Sequence, residues 1–188
     1  MRTTIDAAGE SAPVVMVVET PSFAEVYRDY AAFVWPVLRR LGVRDADVED
    51  VCQEVFLVVH RKLPEFAHRS SIRTWLYGIA VRCAADHRRR AHVKREAPQP
   101  TLGDAPIDAP QPKSVADRQA RAVLDEILET FDEPKRAVFV LYELEELSMA
   151  EVAEAVGCPL QTAYSRLHAA RAEFELAVSR RQAQERSL

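Results

Sequence analysis

The sequence predicts an all-α protein built from two small helical domains on a proline-rich tether. Apolar residues recur at three- and four-residue spacing through both halves of the 188 residues, the period of one helix face, and no convincing alternating run marks a strand. Between the halves, residues 97 to 112 read APQPTLGDAPIDAPQP, five prolines in sixteen positions with almost no bulky apolar side chain. Proline fixes φ and removes an amide donor, so this stretch is expected to be an extended, partly stiff spacer. The expected division is a flexible N-terminal extension over 1–20, a first domain over 21–96, the linker over 97–113 and a second domain over 114–188, with no room for a further domain after Arg180.

In the first half, Ser22 followed by Glu25 is a capping-box start for a helix from Phe23 towards Leu41, with Pro36 expected to kink or break it and Gly42 to end it. A second helix over about 45–62 sets Val48, Val51, Cys52, Val55 and Val59 on one stripe that must face a core. A third, over about 71–90, buries Ile72, Leu76, Ile79, Ala80 and Cys83 by the same spacing and ends in Arg88, Arg89 and Arg90, a cationic end that suits the helix dipole.

In the second half, helices are expected over about 114–130, 134–143, 148–156 and 159–180. The last two form a motif. Ser148 with Glu151 is a capping box, Ala153 keeps the first helix thin, Gly157 supplies a tight turn and Pro159 suits the first turn of the next helix. Together they are a helix-turn-helix signature.

Composition narrows the function. Hydrophobic residues at 48% and charged residues at 29% fit a globular protein. No stretch approaches the roughly 20 apolar residues of a membrane helix; Val14 to Val18 runs into Glu19 without a basic flank or cleavage site. No membrane insertion and a cytoplasmic location are therefore expected. Cys52, Cys83 and Cys158 lack the spacing of a zinc site or disulfide framework and are expected to be reduced and buried.

The net charge of −4 is segregated: His68 to Arg95 holds eight Lys or Arg against the single acid Asp86, whereas Asp45, Asp47, Glu49, Asp50 and Glu54 crowd the stretch upstream. A basic face next to an acidic one implies two different partners.

Three surfaces follow. In a helix-turn-helix the second helix enters the major groove, which nominates Gln161, Thr162, Ser165, Arg166 and His168. Leu160, Ala163, Leu167 and Ala170 are expected inward, with Arg171 and Arg180 placed for backbone contacts. On the third helix, Arg73, Arg82, Arg88, Arg89 and Arg90 can neutralise phosphates while Phe66, His68, Trp75 and Tyr77 can stack on unpaired bases, a combination that fits single-stranded DNA; burial of Trp75 is the competing reading. The acidic face of the second helix, Asp47, Asp50 and Glu54, would be repelled by phosphates and suits a basic protein groove, with Leu57 and Phe56 as apolar anchors. Each surface also has a plainer reading, as a solvated charged face or an ordinary helical hairpin.

Enzymatic constellations are wanting: there is no phosphate-cradling loop among five glycines, no nucleophile elbow and no metal-ligand spacing among His60, His68, His87 and His92. No catalytic residue, cofactor or metal is expected.

Three segments carry a resemblance: DVEDVCQEVFLVVHRKLPEF over 47–66, SSIRTWLYGIAVRCAADHRRR over 70–90 and LSMAEVAEAVGCPLQTAYSRLHAAR over 147–171. In this order and spacing they resemble the extracytoplasmic-function (ECF) group of sigma-70-type sigma factors, over about 23–180.

The resemblance implies that the first domain is sigma region 2 and the second is sigma region 4 with its helix-turn-helix. Asp47, Asp50, Gln53, Glu54 and Leu57 would then dock on the clamp helices of the largest subunit of core RNA polymerase. The 63–71 loop and the following helix, with His68, Arg69, Arg73, Trp75, Tyr77, Arg82, Arg88, Arg89 and Arg90, would recognise and melt the minus-ten element and hold a flipped base. Gln161, Thr162, Ser165, Arg166, His168 and Arg171 would read the minus-thirty-five element, and this domain would contact the polymerase flap. Promoter DNA and an anti-sigma factor are the further implied partners.

Two departures matter. An asparagine common in the family's minus-ten helix is Arg82 here, so base preference there does not carry over, and recognition-helix positions often basic in relatives are Tyr164 and Ala169, which implies fewer phosphate contacts. The competing functions are a stand-alone helix-turn-helix regulator that never joins polymerase and a protein-interaction module without DNA binding.

Overall fold

A computed structural model describes residues 20–95 and 115–186, among which there are seven α-helices and no strand. The expected N-terminal extension, up to residue 19, and the expected linker lie outside the described residues. The first half holds α1 (Phe23–Arg40), α2 (Val48–Lys62) and α3 (Ile72–Arg95); the second holds α4 (Val115–Glu129), α5 (Glu133–Phe139), α6 (Met149–Val156) and α7 (Leu160–Glu185).

The capping box of α1 is formed: the Ser22 amide donates to Glu25 Oε2 at 2.8 Å and the Glu25 amide to Ser22 Oγ at 3.3 Å. These bonds to its charged form hold the Glu25 carboxyl below its ordinary value. Of the two outcomes expected at Pro36, a kink or a break, the break does not occur: α1 continues through it. The local cost of an interior proline, ~3 kcal/mol, is outweighed because Val34, Val37 and Leu38 on either side of it are fully buried, each contributing roughly 1.5–3 kcal/mol. Gly42, at φ +87, ends the segment in the left-handed region that other residues rarely adopt.

The predicted stripe of α2 is the core: Val48, Val51, Val55 and Val59 have no exposed surface. They meet Val26 and Val34 of α1 and Leu76, Ile79 and Ala80 of α3 in one apolar cluster. Phe56 belongs to that cluster too, at 4% exposure, so it is not the surface anchor the sequence suggested. Short 3-10 turns, Asp45–Asp47 and Leu63–Glu65, flank α2. Ile72 and Cys83 are half-buried on the flank of the α3 stripe.

In the second half α5 runs into a π-helical turn, Val140–Leu144, with Val138, Val140 and Leu141 fully buried. Phe139 bridges Phe131 edge-on (5.5 Å) and Phe174 of α7 in a stack (5.2 Å). The second capping box, Ser148 with Glu151, starts α6, and Gly157 at φ +68 ends it before α7. All three cysteines are free but half-buried, not fully buried as expected. Burial, with Glu49 nearby, pushes the Cys52 thiol up to about 11. No helix among the described residues is long and apolar enough to cross a membrane.

Candidate nucleic-acid interface

The stripe that buries one side of α2 forces its other side outward. Asp50 and Gln53 are exposed and Leu57 stands 61% exposed between them and the helix end. Asp47 is half-buried, paired to Arg44 at 2.7 Å with His87 Nε2 at 3.2 Å, and Glu54 pairs with Arg90 of α3 at 2.7 Å. Asp50, Gln53, Glu54 and Leu57 of α2, with Asp47 in the turn just before it, thus form one surface, acidic with a single large apolar side chain.

The loop before α3 gathers the expected aromatics. Phe66 lies 4.7 Å from the His68 ring and 5.1 Å from the Trp75 ring. His68 adopts a left-handed φ of 53, unusual for a residue with a side chain, and its Nε2 lies 2.7 Å from Thr20 Oγ1. Arg69, Arg73 and Arg82 are exposed. Of the terminal arginines, Arg89 pairs with Asp86 at 2.7 Å and Arg90 with Glu54, while Arg88 is half-buried with its Nη1 lacking a partner among the described residues. Trp75 is half-buried; the fully buried aromatic is Tyr77, at 2% exposure, so in this structure Tyr77 is not available to a base.

On α7, Gln161, Ser165 and His168 are exposed and Thr162 and Arg166 half-buried, while Ala163, Leu167 and Ala170 face the core as the spacing predicted. Leu160 was expected inward but, as the first residue of α7, is 48% exposed. With Tyr164, 51% exposed one turn on, it gives the start of the recognition helix an apolar edge. Arg171, nominated for phosphate, donates instead to Glu143 Oε1 at 2.6 Å and lies over the Tyr142 ring at 5.4 Å.

How the halves meet was not legible from local sequence patterns. Glu145, 8% exposed, accepts from Arg40 Nη1 at 2.6 Å and from the Tyr77 hydroxyl at 2.7 Å, and its backbone carbonyl accepts from Arg73 Nη2 at 2.6 Å. Next to it Thr74 donates to Glu151 of α6 at 3.1 Å, and a β-carbon on Gly78 would come within 3.1 Å of the Ala155 carbonyl oxygen. Burial pushes the Tyr77 phenol up to about 12, so it stays protonated and donates. Partners 68 to 105 positions apart leave no local pattern to read.

Comparison with known proteins decides the family. Residues 26–93 match the family model "Sigma-70 region 2" and residues 121–174 match "Sigma-70, region 4". The ECF RNA polymerase sigma factor SigC of Mycobacterium tuberculosis is 38% identical over 147 residues, covering 73% of this chain and 73% of that protein. The chain belongs to the ECF group of the sigma-70 family. Other relatives of this sigma factor are the sigma-E factor of Escherichia coli, 33% identical over 69% of the chain and 72% of that protein, and SigE of Mycolicibacterium smegmatis, 30% identical over 90% of the chain. The chain spans 64% of the length of that last relative.

Two solved structures share the sigma factor's fold at a TM-score of 0.62. CnrH in complex with the cytosolic domain of CnrY is 22% identical and covers 84% of this chain and 87% of that one. The sigma factor RpoE in complex with the anti-sigma factor NepR from Bartonella quintana is 20% identical and covers 82% and 98%.

Proposed function

We propose that this ECF sigma factor binds core RNA polymerase and directs promoter-specific initiation, with its two halves, 21–96 and 114–188, acting as region 2 and region 4 on either side of the 97–113 linker. The observation that supports it best is the segregation of charge: Asp50, Gln53 and Leu57 stand exposed on α2, Arg69, Arg73 and Arg82 on the loop and α3, and Gln161, Ser165 and His168 on α7, with the acidic and basic faces adjoining where Glu54 pairs with Arg90. Phosphates repel the first surface and are attracted by the others, so protein and DNA can be held at once.

Asp47, Asp50, Gln53, Glu54 and Leu57 form the polymerase-docking face, its partner the clamp helices, while region 4 contacts the flap. His68 and Arg69 on the loop, with Arg73, Trp75, Arg82, Arg88, Arg89 and Arg90 of α3, serve the minus-ten element, and the buried Tyr77 supports α3 from within. Phe66, tilted against both His68 and Trp75, makes with them the aromatic cluster on which an unpaired base can lie. Gln161, Thr162, Ser165, Arg166, His168 and Arg171 serve the minus-thirty-five duplex. The chain supplies recognition and no catalysis, works in the cytoplasm where polymerase is, and is held in check by an anti-sigma factor, as the relative crystallised with NepR is bound by one.

Co-elution with purified core polymerase, followed by transcription from genomic fragments, tests this reading. Chain-dependent transcripts are expected; duplex binding by the isolated chain with no affinity for polymerase would favour the stand-alone regulator.

A further inference from the structure

The outward face at the start of α7 is divided into two rows. Leu160, Tyr164 and His168 stand four residues apart in one, and Gln161 and Ser165 in the row beside it, all five exposed. Leu160 and Tyr164 are large and apolar, yet about half of each is open to solvent. Both fall in the first two turns of the helix, the part from which a helix-turn-helix reads base edges.

The neighbouring polar groups are unequally free. Ser165 Oγ donates to the Gln161 carbonyl of its own helix at 3.0 Å, whereas the Gln161 side-chain amide makes no hydrogen bond among the described residues and keeps its donors and acceptor for a partner. Arg171, three residues beyond His168 on the apolar row, is held by Glu143 at 2.6 Å. The row therefore meets a groove with apolar surface rather than with charge.

In the major groove every base pair shows donors and acceptors, and only thymine adds an apolar group, its 5-methyl. A leucine or a tyrosine ring set against any other base covers polar atoms without pairing them; set against thymine, it removes a methyl from water. Glutamine suits adenine, whose N6 and N7 take its amide in two bonds. The two rows thus converge on A·T pairs, one row for each base.

We propose that Leu160 and Tyr164 are specificity residues that read thymine 5-methyl groups in the minus-thirty-five duplex, with Gln161 beside them reading adenine.

This rests on the reading of α7 as the helix that enters that duplex. The apolar edge is continuous with the exposed Gln161, Ser165 and His168, so a groove that seats those side chains receives Leu160 and Tyr164 with them. Tyr164 acts through its ring, and its hydroxyl is not required.

The test uses the full-length chain and a pool of synthetic duplexes with a randomised centre, from which the wild type selects a binding sequence. Each thymidine of the selected duplex is then replaced in turn by deoxyuridine, which lacks only the 5-methyl, and affinity is read by fluorescence anisotropy for the wild type, Leu160→Ala, Tyr164→Ala, Tyr164→Phe and a control, Leu176→Ala, an exposed apolar residue further along α7. For the wild type, deoxyuridine is expected to weaken binding about fourfold at each contacted position, the factor for one buried hydrocarbon group. Leu160→Ala and Tyr164→Ala should each abolish that difference at one position, while Tyr164→Phe and Leu176→Ala should keep it. A wild-type chain indifferent to deoxyuridine at every position would overturn the proposal, and that measurement needs no variant to fold. Unchanged discrimination in helical Leu160→Ala and Tyr164→Ala chains would overturn it too, and weaker association of those chains with core polymerase would then make the edge a protein contact. Failure of the underlying reading looks different: the wild type would select no sequence, or Arg166→Ala would leave affinity for the selected duplex unchanged.

Discussion

The guanidinium of Arg136 lies directly over Gly42, so close that no β-carbon could occupy that position without moving it. Arg136 comes from α5 of the second half, is 3% exposed and donates to the Leu41 and Phe131 carbonyls. Gly42 therefore answers two demands, a left-handed φ of +87 and the close approach of a side chain from the other half.

Gly42→Ala should cost more stability than Gly157→Ala. Both glycines have positive φ, so both substitutions carry backbone strain of about 1–3 kcal/mol, but a β-carbon on Gly157 meets nothing within 4 Å among the described residues. Urea unfolding monitored by circular dichroism checks this. Adding Arg136→Ala should recover part of the Gly42→Ala loss, since the collision disappears.

Much of this molecule was legible because its signals are short-range. Both capping boxes formed where Ser and Glu stand three apart, the valine stripe of α2 became core, and Gly157 ends the first helix of the motif. Pro36 does not break α1 because burial of the flanking side chains overrides a local penalty. Leu160 and Phe56 misled because spacing gives a stripe but not its edges, where the position of a neighbouring helix decides exposure. The bonds of Glu145 were illegible for a different reason: they depend on how two halves dock.

Alkaline pH should weaken the fold in a definite window. The folded-state Cys52 thiol is raised from 9.0 to about 11, and the Tyr77 phenol from 10.0 to about 12. In each case the unfolded chain loses its proton first, so stability is at its full value below about pH 9 and is lost as pH rises through about 11 to 12. Thermal melts across that range should show a falling midpoint, and Cys52→Ala should remove the earlier part of the fall. For the same reason, iodoacetamide at about pH 8 should modify Cys52 far more slowly than free cysteine, its thiolate fraction being lower on the order of a hundredfold.

Arg166 and Arg171 should differ in their contribution to duplex binding. Arg166→Ala should reduce the salt slope of affinity for a minus-thirty-five duplex by about one unit, as one phosphate contact is lost. Arg171 is held by Glu143 at 2.6 Å and must exchange a carboxylate for a phosphate, so Arg171→Ala should cost less affinity. Glu143→Ala should instead strengthen binding by freeing that arginine. Fluorescence anisotropy at several salt concentrations checks all three, and equal slopes for wild type and Arg166→Ala would remove Arg166 from the interface.

The central claim is that an acidic face on α2 holds the polymerase while other faces hold the promoter, and one separation-of-function measurement tests it most directly. Run-off transcription with core polymerase on a promoter fragment is compared for the wild-type chain and the Asp50→Lys, Glu54→Lys double variant, alongside helicity and duplex affinity. The expected result is loss of transcription and of co-elution with polymerase in a variant that remains helical and binds duplex DNA at least as well as wild type. Transcription at the wild-type level from that variant, or a wild-type chain that does not associate with core polymerase when no inhibitor is present, would contradict the account.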